Sequence, residues 1–131
     1  MTLVVDASVV VPACGSGRGF GELGDDDLLA PPFMWSEARS SLHEAAWRQE
    51  VSPAAARRAH DRLETAPIEA RSPRELGSAA WRIADGLGWA KTYDAEYLAL
   101  ANLLGCRLVT LDARLRRGAD RLGFVVSPAE L

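Results

Sequence analysis

Short runs of apolar, partly β-branched residues recur along the chain and restrict its possible folds more than any other feature. The clearest of them cover residues 3–5, 28–30, 108–111 and 124–126. Runs this short, without polar alternation, are typical of strands buried on both faces, as in a parallel sheet. Because helical stretches separate them, right-handed crossovers would connect the strands. The sequence therefore predicts an α/β fold, a three-layer α/β/α sandwich with a central parallel sheet.

Helical periodicity fills most of the intervals between these runs. Apolar side chains three or four residues apart predict helices over residues 33–50 and 94–104. Ser52 and Ser72 each precede a proline, which is typical of an N-cap followed by proline at the first helical position. They predict two further helix starts. Residues 15–27 are rich in glycine and are predicted to form a loop.

Two smaller expectations concern the ends of helices. Ser8 is predicted to cap a short helix after the first strand, and Pro12 is predicted to disturb it. Gly105 is predicted to end the helix over residues 94–104. The 131 residues contain no internal repeat and no linker-like segment, so one domain over residues 1–131 is expected.

Composition narrows the class of protein. The chain is 48% hydrophobic and 25% charged, as globular domains are, which argues against a disordered or fibrous protein. Its two cysteines, Cys14 and Cys106, make no disulfide framework and are expected to be reduced thiols. No segment resembles a signal peptide, and no apolar run is long enough to cross a membrane. We therefore expect a cytoplasmic protein without membrane contact.

Charge is unevenly distributed along the chain. The formal net charge is −3, which does not by itself indicate nucleic-acid binding. The first 30 residues hold one arginine and five acids, whereas the remainder holds 14 basic and 13 acidic residues. If some acids gather in a metal site, the remaining surface is basic enough to meet phosphate groups.

Four acids stand at predicted strand ends or helix starts: Asp6, Glu37, Asp94 and Asp112. In a parallel α/β fold these two places share one edge of the sheet. The three aspartates could instead be helix caps, and the glutamate could be solvated. Four converging carboxylates would repel one another, and Mg²⁺ or Mn²⁺ would relieve that repulsion. Such a site suits phosphodiester hydrolysis.

Four segments carry a resemblance to a known family: VVDAS, PPFMWSE, TYDAEYLALA and LVTLDARL. In this order and spacing they resemble the PIN-domain ribonucleases, and among these the VapC-like toxins of bacterial toxin–antitoxin pairs. The resemblance covers nearly the whole chain. It departs from the family before Leu28, where a short glycine-rich segment replaces a longer helical one.

The resemblance implies a Mg²⁺-dependent endoribonuclease. Ser8 and Thr110 match the family's small hydroxyl positions near the metal. Water would attack the scissile phosphate in line and leave a 5′-phosphate and a 3′-hydroxyl, without a covalent nucleophile. The resemblance also implies a homodimer, inhibited by a small antitoxin whose tail occupies the acidic groove. The family's catalytic and metal-binding acids fall, in order, on Asp6, Glu37, Asp94 and Asp112.

Basic residues near these acids are candidates for holding the RNA backbone. Each is also open to the simpler interpretation of a solvated helix face. The candidates are Arg39, Arg114, Arg116 and Arg117.

Other functional classes remain open at this stage. One is a catalytically silent PIN-like module that binds RNA or its antitoxin. Another is a phosphatase or receiver domain of similar build. An aspartyl-phosphate phosphatase would place a second Asp at position 8, where this chain has Ser, and a receiver would need a late lysine, whereas Lys91 is the only lysine.

Overall fold

The computed structural model describes all residues from 1 to 131, which form five strands and six α-helices. The first half comprises β1 (Thr2–Val5), α1 (Ala7–Gly15), β2 (Asp27–Ala30), α2 (Phe33–Trp47), α3 (Pro53–Glu64) and β3 (Ile68–Ala70). The second half comprises α4 (Leu76–Leu87), α5 (Tyr93–Leu104), β4 (Arg107–Val109), α6 (Ala113–Ala119) and β5 (Val125–Val126). Short 3₁₀ turns cover Gly21–Leu23, Asp120–Leu122 and Pro128–Glu130.

The five strands form one sheet in the order β3-β2-β1-β4-β5, and every pair is parallel. The predicted α/β architecture with a central parallel sheet is confirmed. From β1 the chain moves outward through β2 and β3, then returns to the other side of β1 to form β4 and β5. The order therefore reverses between β1 and β4, and sheets of this kind bind ligands beyond the carboxyl ends of such strands.

The core explains why β1 is apolar after Thr2. Leu3, Val4 and Val5 are completely buried, because helices cover the sheet on both faces. On one side α1, α2 and α3 pack together, and α5 packs against α4, β1 and β4. None of the helices is both long and apolar enough to span a membrane.

The first helix departs from the sequence-based expectation. Asp6, not Ser8, occupies the N-cap position of α1, and Pro12 lies inside the helix rather than ending it. Proline removes one backbone hydrogen bond from a helix. The buried side chains of Val10 and Cys14, on either side of it, keep the helix packed into the core and offset that loss.

The start of α4 was also predicted too early. The backbone N–H of Arg71 donates to the Ala30 carbonyl, which holds the chain against the sheet just before the Ser-Pro pair. The segment after it forms a turn, in which Leu76 N–H donates to the Pro73 carbonyl, and the helix begins only there. By contrast, Ser52 does cap α3, accepting a hydrogen bond from Ala55 N–H at 3.0 Å.

Candidate active site

The four predicted acids all line one depression of about 350 Å³ at the carboxyl edge of the sheet. Asp6 directly follows β1, and Asp112 lies three residues beyond β4 at the start of α6. Glu37 lies near the start of α2, and Asp94 is the second residue of α5. The structure thus brings together side chains from four separate elements. Ser8 and Ser41 complete the polar lining, with Ala7, Val11 and Pro12 as the apolar part.

Asp6 is the buried member of this group, with only 4% of its surface exposed. It makes no helix-capping hydrogen bond through its side chain. Its oxygens instead accept one hydrogen bond each, from Ser8 Oγ at 2.6 Å and from Thr110 Oγ1 at 2.5 Å. Because a carboxylate oxygen has two lone pairs, each oxygen can still bind a cation.

Burial raises the pKa of Asp6 from 3.8 to about 6. The hydrogen bonds from Ser8 and Thr110 lower it in part, and the nearby charge of Glu37 raises it further. No lysine or arginine lines the depression. The protein alone therefore compensates this buried carboxylate incompletely.

Ser8 and Thr110 join the first strand to the segment that follows β4. Ser8 Oγ accepts from Leu111 N–H at 2.8 Å, and Thr110 Oγ1 accepts from Asp112 N–H at 3.0 Å. The two hydroxyls lie 3.2 Å apart. Both residues lie beside the acids. Their hydroxyls donate to the carboxylate of Asp6 and make no hydrogen bond to the carboxylate of Asp112.

Asp94 and Asp112 are half-buried, in contrast to Asp6. Partial burial raises the pKa of Asp94, the charge of Asp112 raises it further, and Arg114 lowers it. Asp112 Oδ1 accepts the N–H groups of Arg114 and Leu115 at 2.9 and 3.2 Å, so it caps α6. The capping alternative therefore holds for Asp112, which also lines the depression with its second oxygen unbonded.

Glu37 has a partner that the sequence analysis missed. Tyr97 Oη donates a hydrogen bond to Glu37 Oε1 at 2.6 Å. Tyr97 lies in the helix predicted over residues 94–104, where the apolar periodicity gives it no role in the site. Its hydroxyl was the available indication, because a buried tyrosine usually bonds its O–H to a polar partner.

The predicted RNA-binding arginines do not form one group. Arg39 lies outside the depression, in the cleft between α2 and α3, where it donates to His60 and Glu64 at 2.9 and 2.8 Å. Arg116 forms an ion pair with Glu130 near the end of the chain. Arg114 lies close enough to Asp94 to affect its pKa, and Arg117 is exposed.

The residues in the depression suit a hard divalent cation. All the charged groups are carboxylates, the donors that Mg²⁺ and Mn²⁺ prefer. No three acidic, histidine or cysteine side chains converge closely enough to hold an ion together. Mg²⁺ commonly retains several waters and binds through one or two carboxylates, so this wider arrangement is compatible with it.

Comparison with known proteins gives consistent matches. Residues 3–121 match the family described as PIN domain. VapC ribonuclease Mb0985 of Mycobacterium bovis is 33% identical over 114 residues, which cover 86% of this chain and 87% of that protein. Ribonuclease VapC9 of Mycobacterium tuberculosis matches to the same extent. Among solved structures, PAE2754 from Pyrobaculum aerophilum is similar in fold, with a TM-score of 0.77 and 23% identity over 99% of this chain and 94% of that one.

Proposed function

The chain belongs to the PIN domain family, and from that premise we propose that it is a metal-dependent endoribonuclease and the toxin of a toxin–antitoxin pair. The observation that carries the proposal is the depression into which four separate elements each bring one carboxylate. The resemblance to proteins named VapC ribonucleases supports the choice of RNA as substrate. Residues 1–131 would act as a single nuclease domain.

In this proposal Asp6 and Asp94 are the principal metal ligands, and Glu37 and Asp112 complete the acidic group. A bound Mg²⁺, or Mn²⁺ in its place, would neutralise charge on the scissile phosphate and promote ionisation of the attacking water.

The chain's own residues orient the reacting groups. Ser8 and Thr110 hold the Asp6 carboxylate in one orientation, and its pKa of about 6 leaves it mostly ionised above neutral pH. Glu37 Oε2, which carries no hydrogen bond within the protein, can orient the attacking water and accept its proton. In-line attack would leave a 5′-phosphate and a 3′-hydroxyl.

The partners follow from the same proposal. The acidic depression would accept RNA only with a cation present, because phosphates and carboxylates repel each other. Without RNA it suits a basic segment of a small antitoxin. We further propose a homodimer in the cytoplasm.

The test is cleavage of total RNA by the purified chain, free of any antitoxin, in Mg²⁺ and in EDTA. Asp6→Asn is the informative variant, and Asp85→Asn, the same change at an exposed aspartate of α4, is the matched control. We expect cleavage by the wild type and the control in Mg²⁺, and none in EDTA or by Asp6→Asn. Cleavage that persists in EDTA would rule out the mechanism, and RNA binding without cleavage would favour the silent module.

A further inference from the structure

One hydrogen bond joins α2 and α5 beside the depression. Tyr97 Oη donates to Glu37 Oε1 at 2.6 Å. Phe33, one helical turn before Glu37, places its ring 5.0 Å from that of Tyr97, at an interplanar angle of 51°. The tyrosine ring is therefore fixed by an aromatic neighbour on the same helix that carries the glutamate.

The direction of this hydrogen bond is settled by the surroundings of the phenol. Tyr97 is only 1% exposed. The Glu37 carboxylate has no proton to donate, so the Tyr97 hydroxyl is the donor. The bond holds Glu37 Oε1 beside the Tyr97 hydroxyl, and Oε2 is the oxygen without a hydrogen bond in the protein.

Tyr97 lies near three of the four acids. It follows Asp94 by three residues on α5, so the two side chains project from neighbouring positions on one helix. The Asp6 carboxylate raises the pKa of Tyr97, and the backbone of Ala7, the residue after Asp6, lowers it, so both groups lie near the Tyr97 hydroxyl. The hydroxyl therefore stands where the elements that carry Asp6, Glu37 and Asp94 meet.

We propose that Tyr97 is a positioning residue that fixes Glu37 with a single carboxylate oxygen presented to the bound cation and water. This inference rests on the proposed metal site. A glutamate side chain free to rotate would present either oxygen, both, or neither to the cation. The hydrogen bond from Tyr97 keeps the Glu37 carboxylate in one orientation. Groups that orient metal-binding side chains in this way commonly affect metal affinity by about 10- to 100-fold.

The test is Mn²⁺ binding, measured from the electron paramagnetic resonance signal of the free ion, to the Tyr97→Phe variant. Phenylalanine keeps the ring and removes only the hydroxyl, so we expect Mn²⁺ affinity to fall about tenfold or more. Tyr93→Phe is the matched control. Tyr93 lies one turn earlier on α5, is 60% exposed, and contacts Phe33 through its ring, with no hydrogen bond from its hydroxyl to the acids. The control should bind Mn²⁺ like the wild type.

A double-mutant cycle separates positioning from a general structural effect. In a Glu37→Gln background the hydroxyl has no carboxylate left to orient, so Tyr97→Phe should cause little further loss of affinity. An equal loss in both backgrounds would overturn the proposal, because it would show that the hydroxyl acts through the fold. Melting curves of all four proteins in EDTA test the same point without metal.

The outcome is distinguishable from failure of the proposed ribonuclease activity. If the wild type binds Mn²⁺ and the cycle shows coupling, Tyr97 positions Glu37 even when no RNA is cleaved. If Tyr97→Phe binds Mn²⁺ as tightly as the wild type, the positioning role is wrong even in an active ribonuclease.

Discussion

Asp6 is an acid that the protein buries among hydroxyl groups instead of basic side chains. Ser8 and Thr110 supply neutral hydrogen bonds, which stabilise an anion less than a guanidinium would. A carboxylate in these surroundings destabilises the metal-free fold. A role in binding a cation explains why the protein keeps a destabilising carboxylate in this position and orientation.

This destabilisation gives a prediction for stability. The folded pKa of Asp6, about 6, lies above its ordinary value of 3.8, so folding favours the protonated acid. The resulting stabilisation is complete below about pH 3.8 and is lost as pH rises through 6, which amounts to about 3 kcal/mol at most. Asp6→Asn removes the charge and should raise the free energy of unfolding in EDTA at pH 7.5 by about 1–3 kcal/mol.

Urea denaturation of the wild type and Asp6→Asn at pH 7.5 and near pH 4 is the appropriate measurement. The advantage of the variant should shrink at the lower pH, where the wild-type acid is protonated. An advantage of the same size at both values of pH would show that charge is not its cause. Asp85→Asn should change stability by less than about 0.5 kcal/mol at either pH.

At the residue scale the sequence indicates the acids, and the family resemblance adds Ser8 and Thr110, but neither indicates Tyr97. Asp6 and Asp112 could be selected because each follows a buried apolar run. The role of Tyr97 could not, because it depends on Glu37, 60 residues away, and on burial that the helical stripe alone does not specify. Ser8 was interpreted as a cap because its bond to Thr110 also crosses most of the chain.

In α6, a residue of the site also stabilises the helix that it begins. Asp112 caps this short helix through Oδ1 while its side chain also lines the depression. The rest of the helix is anchored by the buried Leu115 and Ala119. Capping and electrostatic roles therefore coincide in one carboxylate, and they can be separated by substitution.

Two substitutions of Asp112 should separate these roles. Asparagine is as good an N-cap as aspartate, so Asp112→Asn should keep stability in EDTA while it weakens Mn²⁺ binding and RNA cleavage. Asp112→Ala should also lose about 1 kcal/mol of stability, because two N–H groups lose their acceptor. Urea denaturation and Mn²⁺ titration of both variants make the comparison. If Asp112→Asn binds Mn²⁺ with unchanged affinity, Asp112 acts only as a helix cap.

Local sequence predicted the elements well where local chemistry decides them. Ser52 caps α3 as expected, and Gly105 ends α5 with a φ of 66°, a conformation that glycine adopts at little cost. The Ser72-Pro73 pair gave the same local indication but does not begin a helix. There a hydrogen bond from Arg71 N–H to the Ala30 carbonyl of the neighbouring strand holds the chain just before the pair, and the local sequence does not indicate this contact.

The whole molecule is organised around the reversal of strand order beside β1. The sequence predicts parallel strands, because all the apolar runs are short and continuous, and it places acids at their carboxyl ends. Because the buried strands resemble one another in composition, each would fit several positions in the sheet. The sequence therefore does not indicate the order β3-β2-β1-β4-β5. The family resemblance identified the PIN domain, which the match over residues 3–121 confirms, whereas the strand order is known only from the structure.

Because the acids come from elements spread over the chain, a cation that binds them should stabilise the whole fold. A ligand present at 100 times its dissociation constant adds about 2.7 kcal/mol. We therefore expect millimolar Mg²⁺ to raise the melting temperature of the wild type by several degrees relative to EDTA. Asp6→Asn should lose most of this shift, whereas Asp85→Asn should keep it. Sodium chloride at matched ionic strength controls for screening, and an equal response to both salts would argue against a specific site.

The proposed acidic group has a consequence for the protein's own synthesis, because the partners of Asp6 are made at very different times. Thr110 follows Asp6 by 104 residues. At translation rates of about 5–20 residues per second, a nascent chain spends on the order of 5–20 s with Asp6 already made and Thr110 still missing. Over that interval no truncated product has a complete acidic group, so the ribosome that makes the chain is exposed to its activity only after the second half has emerged.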